Sequence, residues 1–408
     1  MQTRTDYDIA IVGGGIVGLA SAYKISQAYP KVRLVVLEKE ERLASHQTGR
    51  NSGVIHSGLY YKPGSTKAQT CTAGRAELIA FAEKHDIPHD ICGKIIVATD
   101  RRELGAMERI FQNGLANGVE GIAKIGPEDI RRLEPEASGI AGIHVPSAGI
   151  IDFTAVANKL AELVQADGKA NRVFTSREVT GFGKHDFHTN VLTSTGHLST
   201  RYVINCAGLQ CDRVARMDGV NTGVRIVPFR GDYCDLTTSA AAKVRNLIYP
   251  VPNPAFPFLG VHFSRRIAGG VECGPNAVFA FKREGYGKTD VNLRDTWESL
   301  SYWGTWGLFL RHWRYGLGEY ARAFSKKLLV KQLQRLVPSI ALEDLRPGNA
   351  GVRAQALGPK GELLDDFKIE ATANAIHVLN APSPAATASL AIGAHVAQLA
   401  ARHFGLAE

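Results

Sequence analysis

Three glycines near the start of the sequence have the spacing of a pyrophosphate-binding turn. Gly13, Gly15 and Gly18 lie between an apolar run, residues 7–12, and a segment rich in Ala, Leu and Ile. The first glycine permits a tight turn, the second lets backbone amides reach the phosphates, and the third lets a helix pack closely on a strand. Glu38 ends the next apolar run, where a carboxylate accepts hydrogen bonds from ribose hydroxyls. These residues predict a dinucleotide site.

Two further segments of small residues indicate that the dinucleotide is FAD rather than NAD. TGRNSGVIHSG, residues 48–58, is the kind of loop that approaches a flavin closely, and YVINCAG, residues 202–208, ends a predicted strand in a small-residue turn. Cys206 in that turn is interpreted as a packing residue rather than a redox thiol. The residues expected to contact the cofactor are Gly13, Gly15, Gly18, Glu38, Lys39, Thr48, Arg50, Asn51, Ser52, Val179, Ala207, Gly208, Gly351, Ser383, Pro384 and Ala385.

Two histidines and an arginine have side chains suited to the oxidation of an acid, and each also has a structural interpretation. His262 lies in an apolar run and faces either the core or a site. His56 lies in the small-residue loop, as a base, a flavin contact or a packed residue. Arg353 is able to hold a carboxylate in bidentate fashion. Arg230 and Tyr233 are placed on a sheet over the flavin, although half of such positions are expected to be structural.

An α/β fold is needed to bring these residues together. The sequence predicts a discontinuous Rossmann-type FAD-binding domain over residues 1–90, 150–225 and 345–408. Residues 91–149 and 226–344 are expected to form an interleaved α+β substrate domain on a mainly antiparallel sheet. Strands are predicted at 94–99, 258–263 and 376–381, among others. Helices are predicted at 66–85, 102–117, 127–133, 154–166 and 384–403, with a long helical segment at 295–336.

Composition narrows the class of protein. Hydrophobic residues make up 45% and charged residues 21%, which predicts a globular chain. The net charge of +9 would suit an anionic partner, but the basic residues form no nucleic-acid-binding pattern, so nucleic acid is not expected. Six scattered cysteines without a C-x-x-C pair predict neither a metal site nor disulfides. The strand predicted near Tyr7 leaves no room for a signal peptide, which favours a cytoplasmic protein.

All four tryptophans fall in one segment, residues 297–313. Apolar residues recur there three and four positions apart, as on one stripe of a helix. The stripe comprises Leu300, Trp303, Trp306, Leu310, Trp313 and Leu317. With the flanking Arg and Lys it suits either packing on the chain's own substrate domain or contact with an anionic membrane surface. The second interpretation places a membrane-associating helix near residues 297–320, with the protein peripheral on the inner face of the cytoplasmic membrane.

Several strings together resemble the D-amino-acid-oxidase-like (DAO-like) flavoprotein superfamily and, within it, the L-2-hydroxyglutarate dehydrogenase/oxidase family. The resemblance covers essentially the whole chain. It rests on RNSGVIHSGLYY (50–61), PFRGDY (228–233), FLGVHF (258–263), GPNAVFAFKREGY (274–286), GVRAQ (351–355) and NAPSPAATASLAIG (380–393). The flavin helix near the C-terminal end usually opens with glycines in the superfamily, whereas Ser383, Pro384, Ala385 and Ala386 occupy that turn here. This departure agrees with the narrower family and counts against an amine oxidase.

The resemblance implies oxidation of L-2-hydroxyglutarate to 2-oxoglutarate, with hydride transfer to flavin N5 and electrons passed to quinone or oxygen. His262 would be the base, with His56 as the alternate and a pKa near 7. Arg353 would clamp a carboxylate of this small dicarboxylate, and Arg230, Tyr233 and Tyr60 would be further substrate contacts. The preference for the L over the D isomer also rests on the resemblance. The alternatives are a glycine- or sarcosine-oxidase-like enzyme and a non-catalytic flavoprotein.

Overall fold

The structure is a computed structural model that describes residues 5–166, 170–252 and 260–406. Its strands are β1 Tyr7–Val12, β2 Leu34–Leu37, β3 Val54–Ile55, β4 His89–Asp90, β5 Lys94–Ala98, β6 Ala123–Ile125, β7 Ala141–Val145, β8 Gly149–Ile151, β9 Arg172–Phe174, β10 Val179–Lys184, β11 Thr189–Thr193, β12 Gly196–Asn205, β13 Arg225–Leu236, β14 Leu247–Pro250, β15 His262–Arg265, β16 Val271–Gly274, β17 Val278–Phe279, β18 Leu345–Leu357, β19 Lys368–Ala371 and β20 Ala375–Asn380. Its helices are α1 Ile16–Ala28, α2 Thr66–Lys84, α3 Leu104–Ala116, α4 Pro127–Leu133, α5 Phe153–Val164, α6 Cys211–Met217, α7 Thr238–Ala241, α8 Leu293–Leu300, α9 Trp303–Phe324, α10 Lys326–Leu333 and α11 Ser389–Phe404.

An eight-stranded sheet contains the glycine turn. β20, β12, β1, β2 and β9 run parallel. β11 pairs antiparallel with β12, β10 pairs antiparallel with β11, and β19 pairs antiparallel with β20. Residues 9–12 of β1 are buried, and since successive side chains of a strand point to opposite faces, both faces are covered, which explains the apolar run over these four residues. On one face α1 packs against α5 and α11, and a Cβ added at Gly393 would lie 2.6 Å from the backbone of Ala20. This close packing holds the start of α1 at the end of β1.

The second large sheet has nine strands. Its order is β17, β13, β16, β15, β14, β5, β7, β6, with β18 beside β13, and only the β14–β5 pair is parallel among the described strands. β18 pairs with β13 from Leu345 to Leu357, so the chain returns to the eight-stranded sheet only after this strand. The mixed α/β architecture confirms the predicted fold class. A small sheet of β3, β8 and β4 completes the set described.

Three details of the predicted elements were wrong. The helical segment expected over 295–336 is three helices, because the chain leaves helical geometry at Ser301–Tyr302 and Ser325 caps the start of α10. The last helix begins at Ser389, and residues 383–388 form a turn instead of its first turns. The strand expected at 258–263 begins at His262, and Phe258 and Leu259 lie outside the described residues.

The tryptophan helix α9 is kinked and its stripe faces outward. His312 has non-helical angles, φ −122° and ψ 21°, in the middle of the helix. Trp303 is 76% exposed and Leu310 71% exposed, whereas Leu308 on the opposite face packs against Phe229 and Phe279 of the nine-stranded sheet. Of the predicted stripe, only Leu300, which lies on α8, packs against this cluster, and the five members on α9 are exposed. For α9 the interpretation in which the stripe packs on the chain's own substrate domain is therefore wrong. None of the described helices has the length and apolarity to cross a bilayer.

Candidate active site

The glycine turn brings the backbone of α1 against a large cavity. Gly13 has φ +109°, and a Cβ at this position would lie 2.5 Å from the Cys206 carbonyl oxygen. A Cβ on Gly18 would lie 2.1 Å from the Gly13 oxygen, so this glycine permits the helix–strand approach. Near Gly15 the closest protein atom to an added Cβ is Thr48 Oγ1 at 3.4 Å. The restriction to glycine at this position therefore fits the approach of a phosphate.

Glu38 is held at the position expected of a ribose-binding carboxylate. It is buried, with one oxygen accepting from the Gly14 amide at 2.8 Å and the other from the Glu40 amide at 2.9 Å. Each carboxylate oxygen has a second acceptor position, so the ribose hydroxyls are able to bind in addition. The backbone thus fixes the orientation of Glu38 before any ligand arrives.

The cavity has a volume of about 1380 Å³ and extends from the glycine turn to His262. This exceeds the roughly 300–1,000 Å³ of most small-molecule sites, and it fits an extended dinucleotide together with a small substrate. All but two of the residues expected at the site line it; the exceptions are Gly18, which packs, and Arg230. Arg230 binds Asp232 through Nε at 2.8 Å and also donates to the Gly287 carbonyl. Its guanidinium is thus engaged within its own sheet, and we do not assign it to the substrate.

Two hydroxyl groups fix the loops on either side of the cavity. Thr48 Oγ1 accepts from the Ile16 amide at 3.0 Å, which ties the small-residue loop to the start of α1. Thr387 Oγ1 accepts from the His56 amide at 3.1 Å and donates to the Val54 carbonyl at 3.3 Å. The turn at 383–388 is thereby attached to the loop that carries His56.

A cluster of charged groups closes the glycine-turn end of the cavity. Lys39 Nζ forms ion pairs with Glu40 and, at 2.9 Å, with Glu284. His46 contacts Glu40 through Nε2 at 2.9 Å and the Tyr286 hydroxyl through Nδ1 at 2.6 Å. Glu40, His46 and Glu284 have the ligand types of a metal site, but the Lys39 ammonium already supplies the cation between the two carboxylates. The cluster joins the segment after β2 to the segment after β17.

His262 has a fixed tautomer. Its Nδ1 lies 2.9 Å from the Gly260 carbonyl oxygen, and since a carbonyl only accepts, Nδ1 carries the proton and Nε2 keeps its lone pair. The ring is buried and stacks on Tyr249, with 4.0 Å between ring centroids. Burial lowers the pKa of His262 to about 4, and the positive charges of Arg353 and Lys94 contribute to this lowering. The histidine is therefore neutral at pH 7, and the expectation of a pKa near 7 is replaced by a much lower value.

His56 lies at the same end of the cavity without an equally defined tautomer. Its Nε2 is 3.5 Å from Ser383 Oγ, at the limit of a hydrogen bond. Burial, with smaller contributions from Lys94 and His262, lowers the pKa of His56 to about 3. This ring is neutral as well, but its geometry defines no proton acceptor as clearly as that of His262.

Arg353 on β18 contacts Tyr233 on the neighbouring strand β13. A hydrogen bond from Arg353 and its charge both lower the pKa of the Tyr233 hydroxyl, but burial is the larger effect and raises this pKa to about 12. Arg353, Tyr233 and Tyr60 all line the cavity near His262. The arrangement offers a guanidinium and two phenols to an anion beside a neutral imidazole.

Three residues of the site were not found from the sequence. Lys94 and Tyr249 lie in apolar runs that look like ordinary buried strands, and Thr387 lies in an alanine-rich segment. A lysine inside an otherwise apolar strand was a usable signal for Lys94, because such a charge is rarely buried without a role. Tyr249 and Thr387 gave no signal, since their function depends on neighbours brought together by the fold.

Solved structures similar to this one are flavin-dependent oxidoreductases. The L-α-glycerophosphate oxidase of Mycoplasma pneumoniae, determined with FAD bound, matches with a TM-score of 0.78 and 24% identity over 96% of this chain and 94% of that chain. The glycine oxidase of Geobacillus kaustophilus matches with a TM-score of 0.73 and 17% identity over 98% and 95%. At these identities the likeness defines the fold. The chain therefore has the fold of these two oxidases.

Sequence comparison narrows the class. The profile of the FAD dependent oxidoreductase family DAO matches residues 8–399. L-2-hydroxyglutarate dehydrogenase of Indibacter alkaliphilus is 49% identical over 98% of this chain and 100% of its own length. The Escherichia coli K12 enzyme of that name is 44% identical over 96% and 92%, and the human mitochondrial one 42% over 99% and 90%. The chain belongs to the L-2-hydroxyglutarate dehydrogenases of the FAD-dependent oxidoreductase family. The predicted family, enzyme class and cofactor are confirmed.

Proposed function

We propose that the protein oxidises L-2-hydroxyglutarate to 2-oxoglutarate with FAD as its redox group. In support, its relatives are named L-2-hydroxyglutarate dehydrogenase. The observation that carries the proposal is the neutral His262 with its lone pair on Nε2, beside Arg353 in one cavity. A base next to a cation is what the oxidation of a hydroxy acid requires, because the hydroxyl must lose a proton while the carboxylate stays bound.

In this proposal His262 Nε2 accepts the C2 hydroxyl proton as the carbonyl forms. FAD, when bound in the cavity, would supply the redox chemistry as the acceptor of the C2 hydride. Two anionic carboxylates entering beside His262 oppose the charges of Arg353 and Lys94, so substrate binding raises the pKa of the histidine toward a useful value. The hydrogen bond to Gly260 keeps the ring oriented throughout.

Substrate orientation is assigned to side chains of the nine-stranded sheet. Arg353 forms the bidentate clamp for one carboxylate, and Tyr233 holds the guanidinium in place. Tyr60, in the loop after β3, is a further donor to the substrate, and His56, which also lines the cavity, is the alternate base. The residues of the glycine turn, Glu38 and the small-residue loops hold the cofactor by backbone approach.

Anaerobic flavin bleaching tests the proposed function. L-2-hydroxyglutarate is expected to bleach the bound flavin rapidly, and L-lactate, glycine and sarcosine poorly. Rapid bleaching by glycine or sarcosine would indicate the amine-oxidase alternative, and none by any acid would indicate a non-catalytic flavoprotein. The glycine oxidase likeness at 17% identity supports a shared fold and carries no argument for that substrate.

We also propose that the two large sheets correspond to two functional units. The eight-stranded sheet, with the segments predicted at residues 1–90, 150–225 and 345–408, would bind FAD, and the nine-stranded sheet would bind substrate. One correction applies to these bounds, because β18, Leu345–Leu357, pairs with β13 and so belongs to the nine-stranded sheet. The supporting observation is that the glycine turn follows β1, whereas His262 and Arg353 lie on β15 and β18. Limited proteolysis with and without FAD tests this, since only fragments of the first unit should gain protection.

For the electron acceptor we propose membrane quinone ahead of oxygen, with α9 as a peripheral contact on an anionic membrane surface. The support is the outward stripe of α9, in which Trp303, Trp313 and Leu317 are more than half exposed. Exposed cations lie beside it at Arg311, Arg314, Lys326 and Lys327. Flat aromatic rings with adjacent cations suit the headgroup region of such a surface.

Vesicle co-sedimentation tests the membrane contact. The wild type should pellet with anionic liposomes and reduce a short-chain quinone faster than oxygen, while Trp303→Ser/Trp306→Ser should stay in the supernatant. Phe187, 73% exposed on the turn between β10 and β11, provides the matched control, and Phe187→Ser should pellet like the wild type. Wild-type protein that never pellets at any salt concentration would exclude this contact.

A further inference from the structure

Lys94 is a buried lysine to which the proposed function assigns no part in holding the substrate. It is the first residue of β5, between β14 and β7, and its exposure is only 2%. Long charged side chains on a strand normally reach solvent, because removing an ammonium from water carries a large free-energy cost. A buried charge that persists at such a position needs a compensating partner.

The contacts of Lys94 lack such a partner. Its Nζ lies 4.8 Å from the ring centroid of Tyr60 and 4.9 Å from that of Tyr249, and two cation–π contacts compensate only part of the lost hydration. Within residues 5–166, 170–252 and 260–406 no carboxylate forms an ion pair with Nζ. Lys67, also buried and near a tyrosine ring, differs because it pairs with Asp365 at 2.8 Å.

The charge of Lys94 affects the titratable groups at the substrate end of the cavity. Burial lowers the pKa of Lys94 to about 8, so the side chain remains mostly protonated at pH 7. The positive charge of Lys94 lowers the pKa of both His56 and His262. The same charge also acts on the thiol of Cys71 on α2. The cations that act on His262 are Arg353 and Lys94. Two cations therefore act on His262, and one of them, Lys94, forms no ion pair with a carboxylate of the described residues.

Tyr60 connects this cation to the cavity. Its ring lines the cavity and rests on the Lys94 ammonium, while its hydroxyl is buried without a hydrogen-bond partner in the part of the chain that the structure describes. Such a hydroxyl costs free energy unless a ligand satisfies it. A cation behind the ring strengthens the hydroxyl as a donor to an anion.

We propose that Lys94 and Tyr60 form the subsite for the second carboxylate of the substrate. This inference rests on the proposed function. Arg353 clamps one carboxylate, the Tyr60 hydroxyl donates to the other, and Lys94 is a positioning residue that supplies the counter-charge through the Tyr60 ring. The site is thereby selective for a dicarboxylate over a monocarboxylate of the same length, and Lys94 finds its missing anion only when substrate is bound.

Comparison of two substrates tests the subsite. L-2-hydroxypentanoate has the five carbons of L-2-hydroxyglutarate but a methyl group in place of the second carboxylate. Lys94→Met should lower kcat/KM of anaerobic flavin reduction by roughly 10- to 100-fold for the diacid, mostly through KM, and by less than about threefold for the monoacid. Tyr60→Phe should produce the same selective loss, while Lys67→Met should leave the ratio of diacid to monoacid unchanged.

The outcomes separate the inference from the proposed function. Equal losses on both acids would assign Lys94 to folding alone and overturn the subsite. If Lys94→Met fails to bind FAD, Tyr60→Phe decides, and an unchanged ratio in that variant overturns the proposal. If the wild type itself bleaches with neither acid, the proposed function fails before the subsite is tested.

Discussion

The two ends of the cavity bind their ligands by different means. At the glycine turn the protein offers backbone amides and empty space, and its one key carboxylate, Glu38, is already held by the amides of Gly14 and Glu40. At the other end it offers side chains from β5, β14, β15 and β18, among them the buried Lys94, which pairs with no carboxylate of the described residues. The first end is complete before its ligand arrives, whereas the second keeps charges whose stabilisation depends on the substrate.

The largest effect is expected at the glycine-turn end. Gly18→Ala would place a Cβ 2.1 Å from the Gly13 oxygen, which forces α1 away from β1 and removes the amides that hold the pyrophosphate. The purified variant should lack the visible absorbance of bound flavin. Gly105→Ala is the control, because nothing lies within 4 Å of its added Cβ, and this variant should remain yellow. A flavin-loaded Gly18→Ala protein would show that the close approach is dispensable.

At the substrate end, His262→Asn should keep FAD bound but slow anaerobic flavin reduction by roughly 10²–10⁴-fold, the usual contribution of a general base. Stopped-flow absorbance measures this rate directly. His56→Asn serves as the comparison and should slow reduction much less. The reverse order would make His56 the base, and normal rates in both variants would exclude any histidine.

An intermediate effect is expected from the carboxylate clamp. Arg353→Lys keeps the positive charge but loses the planar pair of donors, at a cost of about 2 kcal/mol in transition-state binding, or roughly 30-fold in kcat/KM. Steady-state kinetics with L-2-hydroxyglutarate provides the measurement. An effect below twofold would mean that Arg353 acts on the substrate by charge alone.

The smallest effect is expected on the pH profile. A general base must be unprotonated, so kcat/KM falls as the pH drops through the pKa of the free enzyme's base. Since burial lowers the pKa of His262 to about 4, flavin reduction should stay nearly constant through the ordinary histidine range near pH 6.5. The second-order rate constant of anaerobic flavin reduction, measured below saturating substrate across this range, tests the expectation because it reports the free enzyme. A twofold or larger loss centred near pH 6.5 would contradict the buried, neutral histidine.

The difference between the two ends also explains what could be predicted from the sequence. Gly13, Gly15 and Gly18 act through spacing along the chain, so the cofactor end was readable as a motif. The substrate end was read only in part: His262 and Arg353 line the cavity as expected, but the low pKa of His262 follows from its burial and from Lys94. Arg230 was expected at the site and instead binds Asp232, two residues away. Such pairings are set by the fold rather than by spacing.

The contacts of Thr387 have a consequence for synthesis of the chain. This residue is bonded to His56 and Val54, more than 330 positions earlier, and its turn forms one wall of the cavity. A ribosome therefore has to release almost the entire polypeptide before the cavity exists. During translation the glycine turn is synthesised long before the turn at 383–388 that forms the opposite wall of the cavity. FAD binding is therefore expected as a late, post-translational step that stabilises contacts between segments synthesised first and last.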